Sequence, residues 1–108
     1  MENHNQIFTT AVWTVKKGKE EEFIKQWTEF AKWTNEKIDN GSAKLLQDSE
    51  NPQRFISVGK WNSMEAMQQW RERPEFKDSL QRITELLAEP SQPHMMKEAA
   101  KVGEHEIV

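Results

Sequence analysis

Few residues of this chain combine reactive chemistry with a place inside a predicted element. His94 is the one histidine within such an element, and imidazole titrates near neutral pH, which suits a general base. A strand histidine facing solvent is the plainer reading of it. Arg71 and Arg73 flank Trp70 and can hold an anionic substrate; the bland alternative is a solvated helix end. Trp70, Trp61, Phe76 and Trp27 offer rings that could wall a pocket, and each can equally be core. Asn62 follows Trp61 and is either a helix cap or a catalytic amide.

Other chemistries find no residues. The chain has no cysteine, so it has no disulfide, thiol nucleophile or zinc–thiolate site. His4, His94 and His105 show no metal-ligand spacing, so no metal site is expected. No glycine-rich phosphate loop or nucleophile motif occurs. The run Glu20–Glu21–Glu22 reads as a helix start matched to the macrodipole, not as a catalytic carboxylate pair.

The elements that must position these groups follow from patterning. Residues 6–15 carry β-branched and aromatic types on both faces, a strand covered on both sides. After the turn at Lys17–Gly18–Lys19, the residues Phe23, Ile24, Trp27, Phe30, Ala31, Thr34 and Ile38 form a helical stripe. Trp33 lies roughly 120° from that stripe's centre at 100° per residue. It is either a subunit or ligand contact or a singly exposed aromatic. Residues 43–48 and 54–61 read as a hairpin around a polar turn. Asn62 caps the next helix, with Glu65 completing a capping box and Met64, Met67 and Trp70 on its apolar side. Pro74 opens a further helix carrying Phe76, Leu80, Ile83 and Leu87, which stops at Pro90–Pro93. Residues 94–102 are read as a last strand, with a frayed polar tail from Gly103.

The order β-α-β-β-α-β is the ferredoxin-like split βαβ arrangement: an α+β fold with a four-stranded antiparallel sheet and helices on one face. Its 108 residues make one domain, with a core over about 6–102. Leu, Ile, Val and Phe number only 21 of 108, close to the level that hints at disorder, but five tryptophans and a net charge of −3 argue for a folded core. So few aliphatic residues leave one sheet face bare, and a second subunit is expected to cover it, with Trp13 at that interface. No 18-residue apolar run and no secretory leader are visible, so no membrane partner is expected and a cytoplasmic location is taken by default. The acidic balance with mixed signs argues against nucleic-acid binding.

The stretch Phe55-Ile-Ser-Val-Gly-Lys-Trp61, then Asn62–Ser63, Glu65–Ala66, Trp70–Arg71 and Pro74–Glu75–Phe76, resembles the antibiotic biosynthesis monooxygenase family. Val15 to Phe23 fits that family's strand-to-helix turn. The resemblance implies a ferredoxin-like protomer, a homodimer whose sheets face each other as a dimeric α/β barrel, and a pocket in each subunit between helices and sheet. It also implies oxygenases that use no metal or flavin, some acting on polycyclic phenols or quinols, beside members without known activity. One branch degrades haem through an Asn, a Trp and a His. Gapless matching puts these positions at Ala11, Trp70 and Leu80, so only the Trp is kept and the obvious iron ligand is lost; His94 could replace it only if the last strand faces the same cavity. The expected activity is therefore cofactor-free oxygenation of a small aromatic or quinol compound, with Trp70 shaping the pocket and His94 or Arg71 as the polar group. The alternative is a non-catalytic ligand-binding dimer, and haem binding ranks behind both.

Overall fold

The computed structural model describes residues 6–103. Its order is β1 (Ile7–Thr14), α1 (Glu20–Lys37), β2 (Ser42–Gln47), β3 (Arg54–Trp61), α2 (Met64–Glu72), α3 (Pro74–Thr84) and β4 (Gln92–Lys97). The four strands form one antiparallel sheet in the order β2-β3-β1-β4, the ferredoxin-like arrangement. His4 and His105 lie outside the described residues, as does the expected tail beyond Gly103. No helix among the described residues is long and apolar enough to cross a membrane.

Period-two alternation sorts the sheet into two faces. In β1, Thr9, Ala11 and Trp13 point to the helices; in β3, Phe55, Ser57, Gly59 and Trp61 share that side by register. Phe8, Thr10 and Val12, with Ile56 and Val58, point the other way. The expectation that β1 carries apolar residues on both faces therefore holds, but Trp13 is on the inner one. Only 6% of Trp13 is exposed, and its ring lies 5.5 Å from that of Phe23. It is core rather than interface; a period of two says which residues share a face, not which face is covered.

The core is closed by Val15, Phe23, Phe55 and Ile83, each essentially without solvent contact, with Leu87 beside them. Val15 is held on both sides of its strand end: its N–H donates to the Gln53 carbonyl, and it bridges to Leu87. The latter bridge ends α3 early. Leu86 and Leu87 turn back with i→i−3 bonds to Ile83 and Thr84, and Lys16 donates to the Leu86 carbonyl. Leu87 is thus core, as its spacing predicts, but from a turn after the helix.

Two glycines have steric reasons. Gly18 adopts φ +88° in the turn that feeds α1. At Gly41 the chain leaving α1 passes so close to β3 that a Cβ would run into the Lys60 carbonyl.

Further expectations need correcting. β4 starts at Gln92, not residue 94, and takes in Pro93 opposite Ala11. Proline fits there because β4 is an edge strand, with no partner on its far side among the described residues. Trp33 is neither free nor exposed: its ring stacks on Phe30 at 6.2 Å and 11°. The indole is wide enough to reach back over a stripe its Cα does not belong to. In α2, Met67 is buried, whereas Met64 is exposed at the first turn.

Candidate functional site

The helices do not cover the whole inner face. Beyond Trp13, toward the Trp61 end of β3, they stand off and leave a cavity of about 890 Å³, open to solvent. That is within the usual size of a small-molecule site. α1 contributes Trp27 and Phe30, β3 contributes Ser57 and Trp61, and α2 and α3 contribute Trp70 and Phe76.

Trp70 is the most heavily braced of these rings. It stacks on Phe30 (5.6 Å, 18°), meets Phe76 edge-on (4.6 Å, 73°) and tilts against Trp61 (4.9 Å, 53°). Such pairs add about 0.5–1.5 kcal/mol each beyond burial, so the wall is preorganised. The break between α2 and α3 sets the angle: Arg73 takes an extended conformation and Pro74 starts the new helix, bringing Phe76 back onto Trp70.

Three indole N–H groups on this face are spent on hydroxyls. Trp13 Nε1 donates to Ser57 Oγ at 2.9 Å, Trp61 Nε1 to Thr9 Oγ1 at 3.0 Å, and Trp70 Nε1 to Thr34 Oγ1 at 2.8 Å. A buried tryptophan without such an acceptor would lose stability. Gly59 leaves room for the second of these bonds, since a Cβ there would crowd Thr9 Oγ1 at 3.0 Å.

Of the residues singled out in the sequence, Trp27, Trp61, Trp70 and Phe76 come together on this cavity, and Arg71 borders it. Asn62 does not reach it. Ser63 caps α2, its side chain accepting from the Ala66 N–H at 3.0 Å. Asn62 instead donates its backbone N–H and its amide to the two carboxylate oxygens of Asp39, both at 2.7 Å. That link ties the end of α1 to the β3–α2 junction at the cavity's lip. The cap moved one residue because Asp39, 23 residues away in sequence, claims Asn62.

His94 is exposed on β4 and also borders the cavity. Its register partner is Thr10, on the face opposite Ala11 and Trp13, so its imidazole reaches the cavity only around the sheet edge. Of the remaining ionisable residues at the cavity, Lys32 is exposed, Asp39 is held by Asn62 and Lys60 sits on the outward alternation of β3, which puts them at its border, while the inner sheet face supplies Ala11, Ser57 and Thr9 as the floor. Ala11 and Leu80, the positions matched to an amide and an iron ligand, both line the cavity and are apolar. Among the described residues no group of three or more His, Asp or Glu could hold a metal ion.

Sequence reasoning missed Thr9, Ser57 and Thr34. A signal existed: Thr9 falls on the same face as Trp13, and Ser57 and Gly59 alternate with Phe55 and Trp61, small residues among large rings.

The fold is shared widely. SnoaB, a cofactor-independent oxygenase from Streptomyces nogalater, superposes with a TM-score of 0.81 at 16% identity, covering 93% of this chain and 99% of that one. A conserved protein of Methanosarcina mazei gives 0.78 at 20% identity, with 88% and 94% covered. A Mycobacterium tuberculosis protein gives 0.75 at 13% identity, over 91% and 99%. No curated protein matches the sequence. Residues 6–82 match the family model for antibiotic biosynthesis monooxygenase, a span that takes in β1 through most of α3 and so every aromatic wall of the cavity. The chain belongs to the antibiotic biosynthesis monooxygenase family.

Proposed function

We propose that this protein binds a planar phenol or quinol in the aromatic cavity and lets it react with O₂ without a cofactor of its own. The observation that carries this is a wide cavity walled by braced rings, with hydroxyls on its floor and every ionisable group at its border. Such a site can stack and desolvate an aromatic anion but supplies no redox group. The reducing electrons then come from the substrate. The phenol's keto tautomer carries an activated ring methylene; it gives a proton to solvent in the open cavity, its carbanion passes one electron to O₂, and the radical pair joins as a peroxide that takes a proton back to become a hydroperoxide. Loss of water leaves a carbonyl, so one oxygen atom enters the product and the other leaves as water.

In this reading Trp70 and Phe76 stack on the ligand, with Trp61 and Trp27 as further walls. Arg71 at the border draws the anion in, and Asn62 keeps the lip in place through Asp39. His94 takes a proton only from a ligand group that extends past β4. SnoaB, a cofactor-independent oxygenase of the same fold, supports the reading. Oxygen uptake on anthrone and a quinol panel tests it: consumption faster than without protein is expected, and equal rates across the panel would overturn it.

The lack of an ionisable group on the floor favours a second reading, a binding protein without turnover; ligand recovered unchanged in air would select it. Haem does not fit the residues present: Ala11 and Leu80 offer no ligand to iron, and His94, the one imidazole at the cavity, stands on the outward alternation of β4. Titration with haem is expected to leave its Soret band unshifted.

The protein is further proposed to act as a homodimer through the outer sheet face. Ile56, Leu46 and Met96 are 36%, 48% and 46% exposed there, beside Phe8, Val12 and Val58. Sedimentation at micromolar concentration should show twice the 12.8 kDa chain mass; a single-chain mass would refute it.

A further inference from the structure

The three indole–hydroxyl bonds are not equivalent, and the difference assigns a ligand-binding role to two of them. Thr34 has no proton left to give: it accepts from Trp70 and donates its own O–H to the Phe30 carbonyl at 3.0 Å. Ser57 and Thr9 accept from Trp13 and Trp61, but neither donates to any acceptor among the described residues. Both border the cavity, and Ser57 is only 9% exposed. A hydroxyl whose lone pair is taken by an indole N–H is polarised into a better donor, and its proton turns to whatever fills the cavity.

We infer that Ser57 and Thr9 are paired hydrogen-bond donors for two oxygen atoms of a fused-ring quinone or quinolate. Thr9 stands opposite Gly59 and Ser57 opposite Ala11, so the two are diagonal neighbours on β1 and β3. Diagonal sheet positions lie roughly 7–8 Å apart, a span that two ring oxygens bridge when each accepts one hydrogen bond. Acceptors are favoured because each hydroxyl has its proton unspent and one lone pair already taken by an indole. Carboxylates are not, because no cation joins the hydroxyls on the floor. On a quinolate the same donors face the oxygen where negative charge collects. The inference rests on the reading of the cavity as an aromatic site.

The test compares 1,4-naphthoquinone with naphthalene, a probe of similar ring area without acceptors, by quenching of tryptophan fluorescence. The wild type should prefer the quinone, and the carbonyl stretch of bound quinone should move to lower frequency. Ser57→Ala and Thr9→Val should each weaken quinone binding about three- to tenfold, the value of one hydrogen bond, while naphthalene binding stays constant. Ser57→Thr should restore the preference. Because Ser57→Ala strands the Trp13 N–H, the double variant Trp13→Phe/Ser57→Ala removes both partners and must show the same selective loss. Equal binding of both probes to the wild type, or parallel losses for both in the variants, overturns the donor role alone. Failure of both probes to bind the wild type overturns the aromatic site and the donor role together.

Discussion

The two ends of the helix–sheet layer are made from similar residues and behave differently. At the Val15 end, Phe23, Phe55, Ile83 and Leu87 fill the space; the Phe23 and Phe55 rings are 4.8 Å apart and nothing remains for solvent. At the Trp61 end, Phe30, Trp61, Trp70 and Phe76 brace one another at the rim of the sheet, and the cavity remains. Aliphatic branches let the first end interdigitate. Flat rings locked by stacking and by a bond to Thr34 cannot collapse into the second. One end serves stability, and the other holds a shape.

Truncation should separate them most strongly. Phe23→Ala should cost about 3–5 kcal/mol of unfolding free energy, since its site is closed on all sides. Trp70→Ala should cost less than that, because its ring already faces space, yet weaken naphthalene binding roughly tenfold as the loss of a central anchor. Chemical denaturation and fluorescence titration of both variants measure the contrast; equal stability losses would break it.

Enlargement should show the reverse. Ala11→Leu grows into the cavity and should leave stability unchanged or raise it by about 0.5–2 kcal/mol while abolishing binding. Val15→Phe, two positions further from the cavity on β1's inner alternation, should overpack and cost about 1–3 kcal/mol. A smaller effect is expected for Gly59→Ala. Its Cβ presses on Thr9 Oγ1 and should loosen the Trp61 bond, at about 1 kcal/mol, visible as a shifted Trp61 indole N–H resonance.

The packed end was more legible in the sequence than the open one. The residues 54–61 stand out by alternation and match β3 as observed, and the spacing of Phe23, Phe30 and Ile83 marks buried positions correctly. Those signals are local, and burial repeats with the period of the element. The cavity depends on contacts distant in sequence: Trp70 with Thr34, Trp61 with Thr9, and Asn62 with Asp39. Periodicity could name Trp70 and Phe76 as apolar but not say that their rings would brace each other across the α2–α3 break. It placed Trp33 off the stripe because a helical wheel follows Cα directions, whereas the indole reaches Phe30. Pro93 read as a stop because edge position, which excuses it, is a property of the sheet. The family motif found the aromatic wall and ran through Ser57 without setting its hydroxyl apart, and Thr9 and Thr34 lie outside it.

The central claim, that the Trp61 end is a preformed aromatic site, is tested most directly by fluorine NMR. The protein would carry 5-fluorotryptophan at its five tryptophans, assigned by single Trp→Phe variants, and be titrated anaerobically with anthrone so that binding is read without turnover. The account predicts that the Trp61 and Trp70 resonances shift saturably, with the Trp33 resonance, outside the cavity lining, least affected. Trp61 and Trp70 resonances that stay fixed to the solubility limit of anthrone would contradict it.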